Sequence, residues 1–159
     1  MNRKKQFIIV IITIIIMVLL DQIVKLYMIN QNEKRVVIEG ILQLNYNENT
    51  GIAFGMAKNN LLGVITTDIL VIVIISQFLI KQIENMKVMT KFSLILILIG
   101  GISNLIDRIV RKKVIDYIDI SLIVPNFPIF NLADIFIVIG FIIFVISVGI
   151  DLIKLRQKN

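Results

Sequence analysis

The stretch FNLADIFIVIG, Phe130 to Gly140, sets one carboxylate, Asp134, at the mouth of an apolar run that continues to about residue 153. The solvent around that run decides the fold. The chain has 159 residues, is 57% hydrophobic and carries a formal charge of +6, with a mean hydropathy of +0.91. A soluble domain of this length cannot hide so much apolar surface, so the sequence reads as one integral membrane domain, residues 1–159, of the all-α class. There is no Cys and no His. Disulfides, thiol nucleophiles, Ser-His arrangements and His-ligated metals are therefore excluded, and any catalysis must use carboxylates, Ser, Lys or Tyr.

Four segments are long enough to cross a hydrocarbon core of about 30 Å at about 1.5 Å per helical residue: about 7–29, 61–80, 92–110 and 134–153. The first resembles a signal-peptide core behind Arg3, Lys4 and Lys5, but no small-residue cleavage site follows, and it reads as a retained helix. Four crossings put both termini on one side. That side holds nine Lys and Arg residues and the other holds eight. The total does not orient the protein, but the basic cluster ahead of the first helix favours both termini in the cytoplasm.

The polar content lies in two linkers on the opposite side. Leu42, Leu44 and Tyr46 alternate with Gln43, Asn45 and Asn47, which predicts a strand with one apolar face, and Asn49, Thr50 and Gly51 then read as a turn. The linker 111–131 contains both prolines, Pro125 and Pro128, whereas Lys81 to Lys91 reads as a plain helix hairpin. No internal repeat is visible.

Alternate helices run in opposite directions. The end of helix one (Asp21, Gln22, Lys25), the end of helix three (Asn104, Asp107, Arg108) and the start of helix four (Asn131, Asp134) therefore share one membrane face, whichever way the protein is inserted. Gly100, Gly101, Asn104, Asp107, Arg108 and Arg111 follow spacings of three and four, a stripe that should face the bundle interior rather than lipid. Asp116 follows on the same side. Plainer roles are open to several of these residues. Asp134 can be the first-turn acid of a helix capped by Asn131. Asp21 with Lys25, and Asp107 with Arg111, have the spacing of ion pairs within a helix. Asp119 reads as a solvated loop carboxylate, and Asp68, about two turns into helix two, has no evident partner.

As a set, DQIVK (21–25), NTGIAFG (49–55), GGISNLIDR (100–108), VIDYI (114–118) and FNLAD (130–134) resemble, in order, the motifs of the lipoprotein signal peptidases, or signal peptidase II. The resemblance covers nearly the whole chain. It implies a four-helix membrane bundle with a small extracytoplasmic β-strand cradle between helices one and two. It also implies an aspartyl endopeptidase of the bacterial cytoplasmic membrane that removes signal peptides from prolipoproteins once their lipobox cysteine carries diacylglycerol. Asp116 and Asp134 match the catalytic pair. Asn49, Gly51, Asn104, Arg108 and Asn131 match supporting or substrate-binding positions, and Asp21, Lys25 and Asp107 match a structural polar motif. Tyr117 stands where phenylalanine is common. The expected partners are lipid-modified prolipoprotein signal peptides, membrane lipid and cyclic peptide inhibitors of the globomycin type, with no nucleic acid, no cofactor and a monomeric state.

The chemistry agrees with what the composition permits. Two carboxylates, one ionised to take a proton from water and one protonated to polarise the scissile carbonyl, hydrolyse a peptide without metal, Cys or His. Such a pair titrates as a unit, and the sequence does not assign the proton. Two rivals are a Ser-Lys peptidase built on Ser103 and Lys25, and a proton-linked carrier, for which intramembrane Asp and Arg are equally natural.

Overall fold

The computed structural model describes residues 2–31, 33–51 and 60–157. Residues 52–55 of the NTGIAFG motif lie outside the described residues. Helix α1 spans Arg3–Ile29, α2 Leu61–Gln82, α3 Val88–Arg111 and α4 Leu132–Arg156. All four are long and apolar enough to cross a membrane. Every span is matched, but three helices start earlier than the apolar runs do. α1 begins at Arg3, where the Asn2 side chain caps it by accepting from the Lys4 N–H at 2.7 Å. Hydropathy marks where a helix meets lipid, whereas caps mark where its backbone starts.

The bundle is organised around α3, which packs against the other three helices and is half buried. Its predicted polar stripe faces inward, with Asn104, Asp107 and Arg108 buried. The outer helices leave Ile, Leu and Val exposed along their lengths, the surface expected of helices solvated by lipid. At the end holding the termini, Val10, Leu79, Ile83, Leu94 and Leu98 form an apolar cluster.

Glycine brings α3 and α4 together. A Cβ on Gly100 would lie 2.2 Å from the Ala133 carbonyl oxygen and 2.7 Å from Ile137 Cγ1, and one on Gly140 would lie 2.8 Å from the Ser93 carbonyl oxygen. Small residues permit this backbone approach in membrane bundles. Because Ala133 lies between Asn131 and Asp134, Gly100→Ala must displace the start of α4. It is expected to destabilise the fold by about 1–3 kcal/mol, more than Gly101→Ala does. Thermal unfolding in detergent checks this.

Outside the helices, β1 (Arg35–Ile38), β2 (Leu42–Asn49) and β3 (Val114–Asp119) form an antiparallel sheet in the order β1-β2-β3. The cradle is therefore not confined to the segment between helices one and two. Its third strand comes from the linker after α3, which ends at Lys112 in a left-handed conformation (φ 62°) and turns directly into β3. The predicted alternation in β2 does not produce one buried and one exposed face. Leu42 to Tyr46 are all half buried, because Gln43 and Asn45 are tied to Asp119.

Asp119 is not a solvated loop carboxylate. It is 3% exposed at the end of β3 and accepts from Gln43 at 2.8 Å, from Asn45 at 2.9 Å and from the Ser121 N–H at 2.9 Å. Burial pushes its pKa up, but hydrogen bonds from Ser121, Asn45 and Gln43 more than offset this and hold it at about 2. An ionised Asp119 thus clamps β2 to β3.

Candidate active site

Four elements converge at one end of the bundle: the last turns of α1 and α3, strand β3 and the first turn of α4. Asp134 begins α4 within a capping box, in which the Asn131 side-chain oxygen accepts the Asp134 N–H at 2.9 Å and Asp134 Oδ2 accepts the Asn131 N–H at 3.1 Å. The capping role of Asp134 is therefore real. Asp116, 1% exposed, comes from β3. The Phe130 carbonyl accepts from the N–H groups of Tyr117 (2.9 Å) and Ile118 (2.7 Å), which docks β3 onto the entry to α4 and brings the two carboxylates together.

Three asparagines address the two carboxylates, and hydrogen-bond chemistry fixes the orientation of each amide. A carbonyl oxygen accepts only, and a lysine ammonium or backbone N–H donates only. Asn104 Oδ1 takes a hydrogen bond from Lys25 Nζ at 2.9 Å, so Asn104 Nδ2 faces Asp134 Oδ1, at 2.8 Å. Asn131 Oδ1 takes the Asp134 N–H, so Asn131 Nδ2 faces Asp116 Oδ1, at 2.7 Å. Asn49 Oδ1 takes the Gly51 N–H at 3.0 Å, so Asn49 Nδ2 faces Asp116 Oδ2, at 3.0 Å. Each of the four carboxylate oxygens thereby receives one N–H, and Asn131 alone donates to both residues.

Beneath this layer lies a buried charge cluster. Lys25, fully buried, has three ammonium protons and three acceptors: Asp21 Oδ2 at 2.8 Å, Asp107 Oδ2 at 2.9 Å and Asn104 Oδ1. The two predicted pairs within helices are present, Asp21 with Lys25 and Asp107 with Arg111. The link from Lys25 across to Asp107 on α3 is tertiary. Gln22 joins the same cluster through Ser103, Asp107 and Arg111.

Burial, and then the neighbouring charge of Asp134, push the Asp116 carboxyl up to about 7, against the opposing hydrogen bonds from Asn49 and Asn131 and the charge of Lys25. Asp116 therefore holds a proton across a range where an ordinary aspartate has lost it. Burial likewise pushes the Tyr117 phenol up, further raised by Asp21, so this residue stays neutral beside the site.

The structure brings together Asp21, Lys25, Asn49, Gly51, Asn104, Asp107, Arg108, Asp116, Asn131 and Asp134, all of the sequence-derived candidates. It also supplies the partner that Asp68 lacked, since Arg108 Nη1 lies 3.0 Å from Asp68 Oδ2. The signal was a shared membrane face: Asp68 lies seven residues after the start of α2 and Arg108 three before the end of α3, an axial offset of about 6 Å that the long arginine side chain spans. The Ser-Lys alternative fails on geometry. Lys25 has all three protons engaged, and the Ser103 hydroxyl donates to Asp21, not toward an accepting amine.

Comparison with known proteins leads to the same family. The profile described as signal peptidase (SPase) II matches residues 13–150. The lipoprotein signal peptidase of Clostridium tetani is 37% identical over 142 residues, 87% of this chain and 90% of the relative. That of Shouchella clausii is 35% identical over 145 residues, 88% and 92% of the two chains. A solved structure described as a bacterial membrane enzyme, obtained by the in meso method at 2.3 Å resolution, superposes with a TM-score of 0.82 at 27% identity, over 89% of this chain and 88% of that one. A second, at 1.9 Å, gives 0.78 at 26% identity, over 87% and 91%. With its four membrane-spanning helices, its three-stranded sheet and a family profile running through nearly all of them, this chain belongs to the signal peptidase II family of lipoprotein-processing membrane proteases.

Proposed function

We propose that the protein is an aspartyl endopeptidase that cleaves the signal peptide from diacylglyceryl-modified prolipoproteins, with Asp116 and Asp134 as its catalytic pair. The observation that carries this reading is Asn131, which donates its side-chain N–H to Asp116 and its backbone N–H to Asp134 and so holds two carboxyls in one polar, water-poor site. Two carboxyls so placed share one proton. The ionised member takes a proton from water as that water attacks the scissile carbonyl. The protonated member donates to the carbonyl oxygen, and the proton gained from water then passes to the leaving amine. Each carboxyl receives two N–H donors, so hydrogen bonding does not divide them; burial and the neighbouring charge favour Asp116 as the resting site of the shared proton, and the α4 N-terminus favours charge on Asp134. Asn49, Gly51 and Arg108, by their match to the family's supporting positions, serve the substrate around this pair.

In this reading the substrate is a prolipoprotein signal peptide presented from the bilayer, cyclic peptides of the globomycin type compete for the same site, and the enzyme acts as a monomer. Both termini lie in the cytoplasm and the sheet lies outside it, in keeping with Arg3, Lys4 and Lys5 ahead of α1. Purified protein is expected to cleave a lipidated precursor and to leave the unlipidated one intact. Equal cleavage of both would remove the lipid requirement. The chain has no cysteine, so single cysteines report its orientation cleanly. In intact cells a membrane-impermeant thiol reagent should label Lys112→Cys and spare Glu84→Cys, and the reverse pattern would invert the topology.

A further inference from the structure

Asp68 lies outside every motif that carries the family resemblance, and the two-carboxylate mechanism does not use it. A carboxylate two turns into a membrane-spanning helix is costly to keep there without a task. Its contacts suggest one. Asp68 Oδ2 accepts from Arg108 Nη1 at 3.0 Å. Through Nη2, the same guanidinium donates to the Gly51 carbonyl at 3.3 Å. The Gly51 N–H is in turn the donor that fixes Asn49 Oδ1, and Asn49 Nδ2 reaches Asp116 Oδ2. Four links therefore run from α2 to Asp116: Asp68, Arg108, the Gly51 peptide and Asn49.

We infer that Asp68 is a positioning residue, which holds the Arg108 guanidinium at the angle that clamps the Asn49–Gly51 turn and so keeps Asn49 on Asp116. The inference rests on the peptidase reading above. Its physical basis is the planar fork of arginine, whose two terminal nitrogens point in fixed relative directions. With Nη1 held by a carboxylate on α2, Nη2 aims at Gly51. Without that hold, Arg108 retains several other rotamers and the freed cation turns toward water or a lipid phosphate. Gly51 then loses a donor on its carbonyl, and the turn that orients the Asn49 amide loosens. Arg108 is 9% exposed, so its orientation is set by these partners rather than by bulk solvent.

The test is a double-mutant cycle on purified full-length protein in liposomes, with wild type and Asp116→Asn as references and a lipidated precursor as substrate. Asp68→Asn is expected to lower kcat by about tenfold, the value of one charge-assisted hydrogen bond acting at one remove. Asp68→Glu, which keeps the charge, should stay within about threefold of wild type. The Asp68→Asn/Asn49→Ala double variant should be no slower than Asn49→Ala alone, because both changes break one chain. A merely structural ion pair would instead lower the folded fraction and leave kcat per folded molecule unchanged. If Asp68→Asn is not recovered folded, Asp68→Ser, which leaves room for water at Arg108, takes its place in the cycle. Wild-type kcat in the neutral variant, strictly additive losses, or a Glu variant as slow as the Asn variant would each overturn the role of Asp68. A wild-type protein that does not cleave, or an Asp116→Asn variant that does, would overturn the peptidase reading itself and is read separately.

Discussion

Asn in place of either Asp116 or Asp134 is expected to lower cleavage of a lipidated precursor by about a thousandfold, and the double substitution should be little worse than either single one. The near-equality follows from the chemistry: one proton is shared by two carboxyls, so removing either removes the exchange. Substrate binding should survive, since Asn keeps the size and some of the hydrogen bonding, and retention of a labelled precursor by the inactive variants would show it. The pH profile carries a sign as well. Activity needs one proton on the pair. It should fall on the acid side as both carboxyls become protonated, and on the alkaline side as the pH rises through about 7, where Asp116 gives up the proton that burial and Asp134 had retained. Asn49→Ala removes a donor that stabilises ionised Asp116, so it should move the alkaline limb to higher pH. A folded Asn variant still cleaving at a rate near wild type would exclude the dyad.

Lys25→Met is the substitution expected to cost most in stability, about 3–5 kcal/mol. Methionine fits the space, but Asp21 and Asp107 are deprived of the ammonium between them, and both are fully buried. Asp107 keeps Arg111, whereas Asp21 keeps only the Ser103 hydroxyl on Oδ2, with its Oδ1 already unpartnered among the described residues. Adding Asp21→Asn to Lys25→Met should therefore recover part of the loss, and thermal unfolding in detergent measures both. The catalytic layer should respond too. Asn104 would keep only the longer contact from Asn131 Nδ2 (3.3 Å) on its oxygen, so the amide that donates to Asp134 would be held less firmly. Cleavage per folded molecule should then fall even at temperatures where the variant is intact. An unfolding midpoint within about 2 °C of wild type would refute the buried-charge account.

Much of the architecture was legible because lipid imposes simple demands. Nothing in a bilayer core satisfies exposed backbone, so apolar runs of sufficient length must be helices, and alternate helices must reverse direction. That alone placed Asp21, Lys25, Asn104, Asp107, Arg108, Asn131 and Asp134 on one face. Helix spacing also gave the Asp21–Lys25 and Asp107–Arg111 pairs and the Asn131–Asp134 capping box, all of which are present.

Strand β3 was not legible as a strand. It is buried on both faces except at Ile118, so VIDYID shows no alternation of buried and exposed positions, and its pairing partner β2 lies some seventy residues earlier in the chain. The solvated reading of Asp119 failed for the same reason, since its donors are Gln43 and Asn45 on that distant strand.

By itself, then, the sequence determined the solvent, the spans, the face that carries the polar residues and the chemistry left available without Cys or His. Those follow from composition and local periodicity, to which each residue contributes independently. Only the tertiary structure decided which amide points at which carboxylate, that Lys25 bridges two helices, and that Asp68 holds Arg108. Such pairings join residues tens of positions apart, and the helix packing and sheet register that set them are properties of the whole chain.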